Sequence, residues 1–174
     1  HRQGRRDRAG MVRYHPWAWR PGTLPGMGAA EWLHDMVNTE NPLEEKMALF
    51  WHQVFATGVS KVDHYDDVMD MIVKFRKMGM GDFRELLLEM AQDPAMIYWL
   101  DNCENHASAV NENWGRELLE LFSMGVGNYT EVDVRECSRA FTGWTIQPKL
   151  PRGPSGRHAW FFQVTEEDHD EGQT

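Results

Sequence analysis

Residues Asn111–Trp144 of this chain read NENWGRELLELFSMGVGNYTEVDVRECSRAFTGW. Apolar residues recur there at helical spacing, stop at Gly125-Val126-Gly127, and then start again. This pattern predicts two consecutive α-helices joined at a glycine corner. The first helix begins with more hydrogen-bonding side chains than are needed to bury one face: Asn111, Glu112, Asn113, Arg116 and Glu117. The sequence therefore predicts that the two helices hold a cluster of charged and amide side chains out of bulk water.

Two interpretations of this cluster stay open. Glu112 precedes Arg116 by four residues, which favours an ion pair along one helix face. In the functional interpretation, Glu112 or Glu117 is a metal ligand or a general acid or base, oriented by Arg116 and the asparagines. In the structural interpretation, the network only fixes this helix against the loop before it. The remaining side of the helix is expected to face the core through Leu118, Leu119, Leu121 and Phe122.

The composition limits the classes of protein to which this chain can belong. The chain has 174 residues, of which 41% are hydrophobic and 26% are charged, and this is typical of a soluble globular domain. No apolar run approaches the roughly 20 residues that a membrane-spanning helix needs. The formal net charge of −9 argues against nucleic-acid binding by the body of the protein, because an acidic domain repels phosphate.

Residues 1–25 are predicted to form an irregular basic N-terminal segment, and residues 26–174 a single helical domain. The first twenty residues hold six arginines against the single Asp7. This segment is expected to be a solvated end, although its charge also suits contact with phosphate or a membrane surface. The chain starts at His1 and ends in the middle of a pattern, so we expect it to be a fragment or a processed product.

The remaining elements give the fold class: a mainly α, multi-helix orthogonal bundle with a small β-hairpin near the C-terminal end. Apolar periodicity and capping residues predict helices at about 28–38, from Pro42 to near Gly58, from Asp63 or Asp66 to Gly79, at 82–92, at 94–100, and from Thr130 to about Thr142. Proline and glycine separate two short apolar runs near the end. These runs predict a hairpin over about 144–163, with strands at Trp144–Ile146 and Ala159–Phe162.

Histidine and cysteine offer few further candidates. A lone histidine such as His52, on an otherwise apolar helix, is more often a partnered residue than a ligand. His169 and Asp170 are adjacent and could coordinate a cation, although the acidic stretch Glu166–Glu171 could equally be solvated. Cys103 and Cys137 are predicted to be packed free thiols. One divalent-metal site could join these side chains with the helix that starts near Asn111. This site remains a hypothesis, because sequence spacing does not show whether its members lie close together: His52, Glu112, Glu117, His169 and Asp170.

Four blocks of the sequence resemble the bacterial family DUF1800, a domain of unknown function. The blocks are EKMALFWHQVFAT (45–57), FRELLLEMAQDPAMIYWLDN (83–102), the stretch Asn111–Trp144, and HDEG (169–172). One departure is that Gln53 and Val54 stand where the family often has Asn and His. The resemblance implies that the chain is an internal fragment of a protein of several hundred residues. It also implies export, and a neighbouring gene for an exported protein related to sulfatases.

Two functions follow from these observations. The preferred one is a structural or assembly protein of the bacterial cell envelope, exported or periplasmic, that acts with the sulfatase-related partner. The alternative is a metal-dependent hydrolase or oxidoreductase with an acidic and histidine site built from Glu112, Glu117 and His169, for which a divalent metal would be the cofactor. The first is preferred because no reaction motif in the sequence is complete.

Overall fold

The computed structural model describes residues 27–62, 64–147 and 160–172. Its eight α-helices are α1 (Met27–Asn38), α2 (Pro42–Phe55), α3 (Val59–Val62), α4 (Tyr65–Met78), α5 (Phe83–Ala91), α6 (Pro94–Trp99), α7 (Asn113–Glu120) and α8 (Glu131–Ala140). The strands are β1 (Trp144–Gln147) and β2 (Phe161–Val164), and short 3-10 helices span Asn102–Glu104 and Glu166–Asp168. The predicted mainly α fold with a small hairpin is confirmed. None of the described helices has the length and apolar character that a membrane span requires.

Side-chain caps fix several helix starts where the sequence predicts them. Oδ1 of Asp93 accepts a hydrogen bond of 3.1 Å from the backbone N–H of Met96 and starts α6. Thr130 and Asp133 form a reciprocal capping box at α8: each side chain accepts a hydrogen bond from the other residue's backbone N–H. The start of α2 at Pro42 is also as predicted, although the Asn41 side chain makes no capping hydrogen bond.

The segment after α2 differs from the prediction. The helix ends at Phe55, three residues before Gly58, and is followed by Ala56, which adopts a left-handed conformation with φ of 49°. The backbone N–H of Ala56 still bonds to the oxygen of His52, so the left-handed residue closes the last turn. The short helix α3 then follows, which periodicity cannot detect because it has only four residues.

The glycine corner between α7 and α8 is confirmed. Gly125 and Gly127 both have positive φ, of 79° and 87°, which glycine adopts without steric cost. The prediction that Leu121 faces the core is wrong, because the side chain is 60% exposed. The helix ends at Glu120, so Leu121 lies in the turn that follows, whereas Phe122 is buried as expected.

The hydrophobic core lies between α2, α4 and α6 and extends towards α7. Phe55 of α2 stacks on Phe75 of α4 with ring centroids 5.7 Å apart, and Phe122 packs against Phe55 at 4.9 Å. Trp114 on α7 is buried against the same cluster. Each of these buried aromatic side chains contributes roughly 1.5–3 kcal/mol to stability, so this contact region is a large source of stability.

The hairpin is antiparallel, with Trp144 paired to Val164 and Gln147 to Phe161. The second strand therefore begins two residues later than predicted, because the apolar run alone does not fix where pairing starts. Residues 148–159, which contain the wide proline- and glycine-rich loop, lie outside the described residues, as does the basic segment 1–25. The extent of the domain over residues 26–174 stays a prediction.

Gly143, just before β1, joins three segments through its backbone. Its N–H donates to the oxygen of Asn105, and its own oxygen accepts from the N–H of Thr165, both at 2.9 Å. Its φ is 75°, and a Cβ atom at this position would lie only 2.5 Å from the oxygen of Thr165. Glycine is therefore required where the loop after α6, the hairpin and the second 3-10 helix meet.

Candidate functional site

A buried amide network occupies the space beside the start of α7. Asn105 is 1% exposed, and its Nδ2 donates to Oδ1 of Asn102 at 3.1 Å and to the backbone oxygen of Ser138 at 2.9 Å. Asn102 in turn donates to the backbone oxygens of Phe141 and Trp144, at 3.2 and 2.9 Å. These two asparagines give additional hydrogen bonds to backbone oxygens at the end of α8 and the start of β1.

Asn111 and Asn113 extend this network to α7. The backbone N–H of Asn111 donates to Oδ1 of Asn105 at 2.9 Å, and Oδ1 of Asn111 accepts from the N–H of Asn113 at 2.9 Å. Nδ2 of Asn113 donates to the backbone oxygen of Leu100 at 3.1 Å. The amide side chains therefore hold the first turn of α7 against the end of α6.

The charged half of the predicted cluster lies at the surface instead. Nη2 of Arg116 contacts Oε2 of Glu112 at 3.3 Å, as the four-residue spacing predicts, and Oε2 of Glu131 on α8 at 2.6 Å. Glu131 hydrogen-bonds Arg116 most strongly and raises the pKa of the guanidinium above its usual value. The Glu131 side chain is 76% exposed. The prediction that the whole cluster is held out of water is thus corrected, because long charged side chains can pair without leaving solvent.

Glu117 stands apart from this ion-pair group. It is half-buried, and burial together with the nearby Glu120 carboxylate raises the pKa of Glu117, while Arg116 lowers it. Glu120 itself accepts a hydrogen bond of 2.8 Å from the Tyr129 hydroxyl. The structure therefore places Glu117 on α7 beside a second acid, and not in the amide network.

The two helices approach each other closely at Gly115. A Cβ atom on Gly115 would lie 2.1 Å from Oγ and 2.8 Å from the backbone nitrogen of Ser138. Ser138 is fully buried, and its Oγ donates to the backbone oxygen of Val134 at 2.8 Å. The absence of a side chain at Gly115 is what lets α7 and α8 pack at this distance.

His52 contacts aromatic side chains. Its ring meets Trp32 of α1 edge-on, with centroids 5.3 Å apart. Burial lowers the pKa of His52, and a backbone hydrogen bond at Thr57 only partly opposes this effect. The ring therefore favours its neutral form and packs between α1 and α2.

His169 and Asp170 hold the C-terminal segment against the end of α8. Nδ1 of His169 lies 2.8 Å from the backbone oxygen of Thr142, and the N–H of Asp170 donates to Oγ1 of Thr142 at 2.8 Å. The Asp170 carboxylate accepts from the N–H of Gly172 and contacts Nη1 of Arg139 at 3.3 Å. The Gly172 hydrogen bond, followed by the Arg139 charge, lowers the pKa of Asp170.

The joint metal site of the sequence hypothesis is not formed. In the part of the chain that the structure describes, no group of three or more histidine, cysteine, aspartate or glutamate side chains could hold a metal ion. Its proposed members have separate partners, since His52 packs on Trp32, Glu112 pairs with Arg116, and Asp170 pairs with Arg139. Both cysteines are thiols outside any disulfide, as predicted, and burial raises the pKa of Cys137.

Comparison with known proteins identifies the family. The family model described as a protein of unknown function, DUF1800, matches residues 23–174. The chain belongs to DUF1800. The resemblance of the four sequence blocks is thereby confirmed, and the match includes every described residue of this DUF1800 chain. No curated protein and no solved structure matches it.

Sequence reasoning missed a cavity of about 360 Å³ on another side of this DUF1800 chain. It lies between α4, the junction of α5 with α6, and β2, and its polar lining includes Asp67, Asp70, Lys74, Glu89 and Asp93. One signal was present: three of these residues recur on α4 at three- and four-residue spacing, which places them on one helix face. The same reasoning missed Asn102 and Asn105, because the loop after α6 reads only as polar.

Proposed function

We propose that this DUF1800 chain belongs to a structural or assembly protein of the bacterial cell envelope that acts with an exported partner related to sulfatases. The amide network carries the proposal. The side chains of Asn102, Asn105, Asn111 and Asn113 all bond to backbone groups of neighbouring segments, so their polar atoms serve packing. A network with its members bonded in this way specifies one arrangement of the chain without performing a reaction.

The described surface adds support. Phe50 meets Trp51 edge-on at 5.0 Å, and Trp51 stacks on Phe83 at 5.4 Å. Phe50 is 49% and Phe83 40% exposed, so aromatic groups in mutual contact reach solvent. Contiguous exposed apolar groups are typical of proteins that contact other proteins. Export and a periplasmic location are part of the proposal and rest on the family resemblance.

The alternative is a metal-dependent hydrolase or oxidoreductase. Glu117 favours it, because its pKa is raised by burial and by Glu120, and carboxyl groups in this state are frequent in active sites. Glu112 and His169 were predicted beside it, yet Glu112 pairs with Arg116, and His169 contacts the backbone of Thr142. Of the three residues that the sequence predicted for this site, the alternative therefore depends on Glu117.

Two measurements on the purified protein separate these functions. We expect the sulfatase-related gene product encoded beside it to co-elute with it in size-exclusion chromatography, and elemental analysis to find metal far below one equivalent. We expect Glu117→Gln to keep both partner binding and the unfolding midpoint. Stoichiometric metal that is lost in Glu117→Gln, without loss of stability, would instead favour the enzyme. Failure to co-elute would reject the assembly role with this partner.

A further inference from the structure

The cavity beside α4 has the dimensions of a small-molecule site. Its volume of about 360 Å³ falls in the range of roughly 300–1,000 Å³ that ligand pockets occupy. Its lining includes the acidic face of α4 and an aromatic wall, the consecutive residues Trp160, Phe161 and Phe162 at the start of β2. The cavity therefore combines charged groups with aromatic groups.

The charged groups leave an excess of carboxylates. Among the described lining residues, Lys74 is the one cation, and its Nζ contacts Oε1 of Glu89 at 2.9 Å and Oδ2 of Asp93 at 3.0 Å. The other two acids are Asp67, which contacts His64, and Asp70. Four carboxylates thus face one lysine, so the cavity as a whole favours a positively charged occupant.

Asp67 is the most deeply placed of these remaining acids. It is 5% exposed, and its Oδ2 lies 2.6 Å from Nδ1 of His64; among the described residues, neither atom has a further hydrogen-bond partner. Burial raises the pKa of Asp67 to about 6, although His64 and the backbone N–H of Trp160 oppose the shift. A carboxyl group in this state gains from an additional cation, because the charge of a buried acid is poorly solvated.

The aromatic wall is held in place by its own contacts. The Trp160 ring stacks on His64 with centroids 4.8 Å apart, and it also packs against Tyr98 at 5.0 Å. Phe162 meets Trp144 of β1 edge-on at 5.0 Å. Fixed aromatic rings beside an acidic face suit a ligand that has both a cationic head and an apolar body, since both parts then contact matching groups.

We propose that this cavity binds a small organic ammonium ion. Its ammonium group lies at Asp67 and Asp70, and its apolar body contacts Trp160 and Phe161. The proposal is independent of the assembly role, because none of these residues takes part in the amide network. It assigns a ligand class to residues for which the sequence analysis predicts no role.

The test uses 2-phenylethylammonium chloride as the probe and 2-phenylethanol as its uncharged counterpart, both titrated by calorimetry into the purified protein. We expect the amine to bind with a Kd below about 1 mM and the alcohol to bind at least about tenfold more weakly, a difference of about 1.4 kcal/mol. Asp70 is exposed, so Asp70→Asn should fold normally and weaken amine binding about fivefold. The matched control is Asp66→Asn, an exposed acid on the same helix that does not line the cavity, and it should bind as the wild type does.

Asp67→Asn gives a second arm, with circular dichroism to check its fold. We expect it to weaken amine binding by about tenfold or more, because it removes the buried charge. Equal binding of the amine and the alcohol would overturn the proposal, and so would wild-type affinity in Asp70→Asn. A calcium titration completes the test: tight calcium binding without amine binding would identify a metal site and reject the ammonium ligand.

Discussion

Asn105 donates a hydrogen bond of 2.9 Å from its side-chain amide to the backbone oxygen of Ser138 on α8. The same side chain accepts from the backbone of Asn111 and donates to Asn102, so one amide links the loop after α6 to the elements on both sides of it. Its burial means that water cannot replace any of these bonds if the side chain is removed.

We therefore expect Asn105→Ala to lower the free energy of unfolding by about 2–4 kcal/mol, because it removes the acceptor of the Asn111 N–H and the donor to Asn102 and Ser138. Urea unfolding followed by circular dichroism measures this change. Asn38→Ala is the matched control, since Asn38 is exposed and donates only to the oxygen of His34. The control should change stability by less than about 0.5 kcal/mol. Equal losses in both variants would show that the network adds nothing to stability.

Gly115 offers a test of the α7–α8 contact. A methyl group there would overlap Ser138, so Gly115→Ala should destabilise the protein by about 2–3 kcal/mol despite the higher helix propensity of alanine. The control is Gly58→Ala, where the nearest atoms of Ser60 and Trp99 would lie at an ordinary 3.5 Å. Thermal unfolding of the two variants compares them directly. A Gly115→Ala protein as stable as the control would mean that the helices are further apart than described.

Lys74 compensates a buried charge. Asp93 is almost fully buried, caps α6 and contacts Nζ of Lys74 at 3.0 Å. Lys74→Met should cost about 3–5 kcal/mol, because it leaves this carboxylate unpaired. Adding Asp93→Asn should restore part of the loss, since asparagine still caps the helix without the charge. Lys77→Met, at an exposed position of the same helix, is the control for loss of a lysine. Additive losses in the double variant would contradict the pairing.

His52 predicts a dependence of stability on pH. Burial lowers its pKa below 6.5 in the folded protein, so the unfolded chain binds a proton more readily. The contribution of His52 is therefore present above about pH 6.5 and is lost as the pH falls towards the folded pKa. Asp67 has the opposite effect: because its pKa is raised to about 6 in the folded protein, it increases stability as the pH falls from about 6 to 4. The total free energy of unfolding therefore does not isolate the contribution of His52.

The measurement is accordingly a difference between two proteins. We expect the free energy of unfolding of the wild type, relative to His52→Gln, to decrease between pH 7.5 and about pH 5.5, and to be constant above pH 7.5. Denaturant titrations at several pH values give this difference. A difference that stays flat over the whole range would show that the His52 ring is solvated.

Local features of this fold were predictable from the sequence, and distant pairings were not. The capping box of Thr130 and Asp133 and the ion pair of Glu112 with Arg116 join residues three or four apart, and both are present. Asn105 and Ser138 are far apart along the chain, and no local pattern identifies such partners. The same reason explains why Glu131 was not expected as the stronger partner of Arg116.

The cavity shows the same limit. The acidic face of α4 was readable from its spacing, but the aromatic wall comes from β2, whose first residue was predicted two positions too early. The pattern within a strand does not show which helix its side chains will contact, because β2 and α4 are far apart along the chain. The hairpin could thus be predicted as an element, while the surface that it builds with α4 could not.

Gly143 constrains the order in which the chain folds. Its backbone bonds reach back to Asn105 and forward to Thr165, so neither bond can form until a long loop has closed. Helices form from local contacts, whereas such distant contacts slow folding. We expect pulsed hydrogen exchange to protect the amides of α4 before those of Gly143 and Thr165. Simultaneous protection would mean that the helices and the hairpin assemble in a single step.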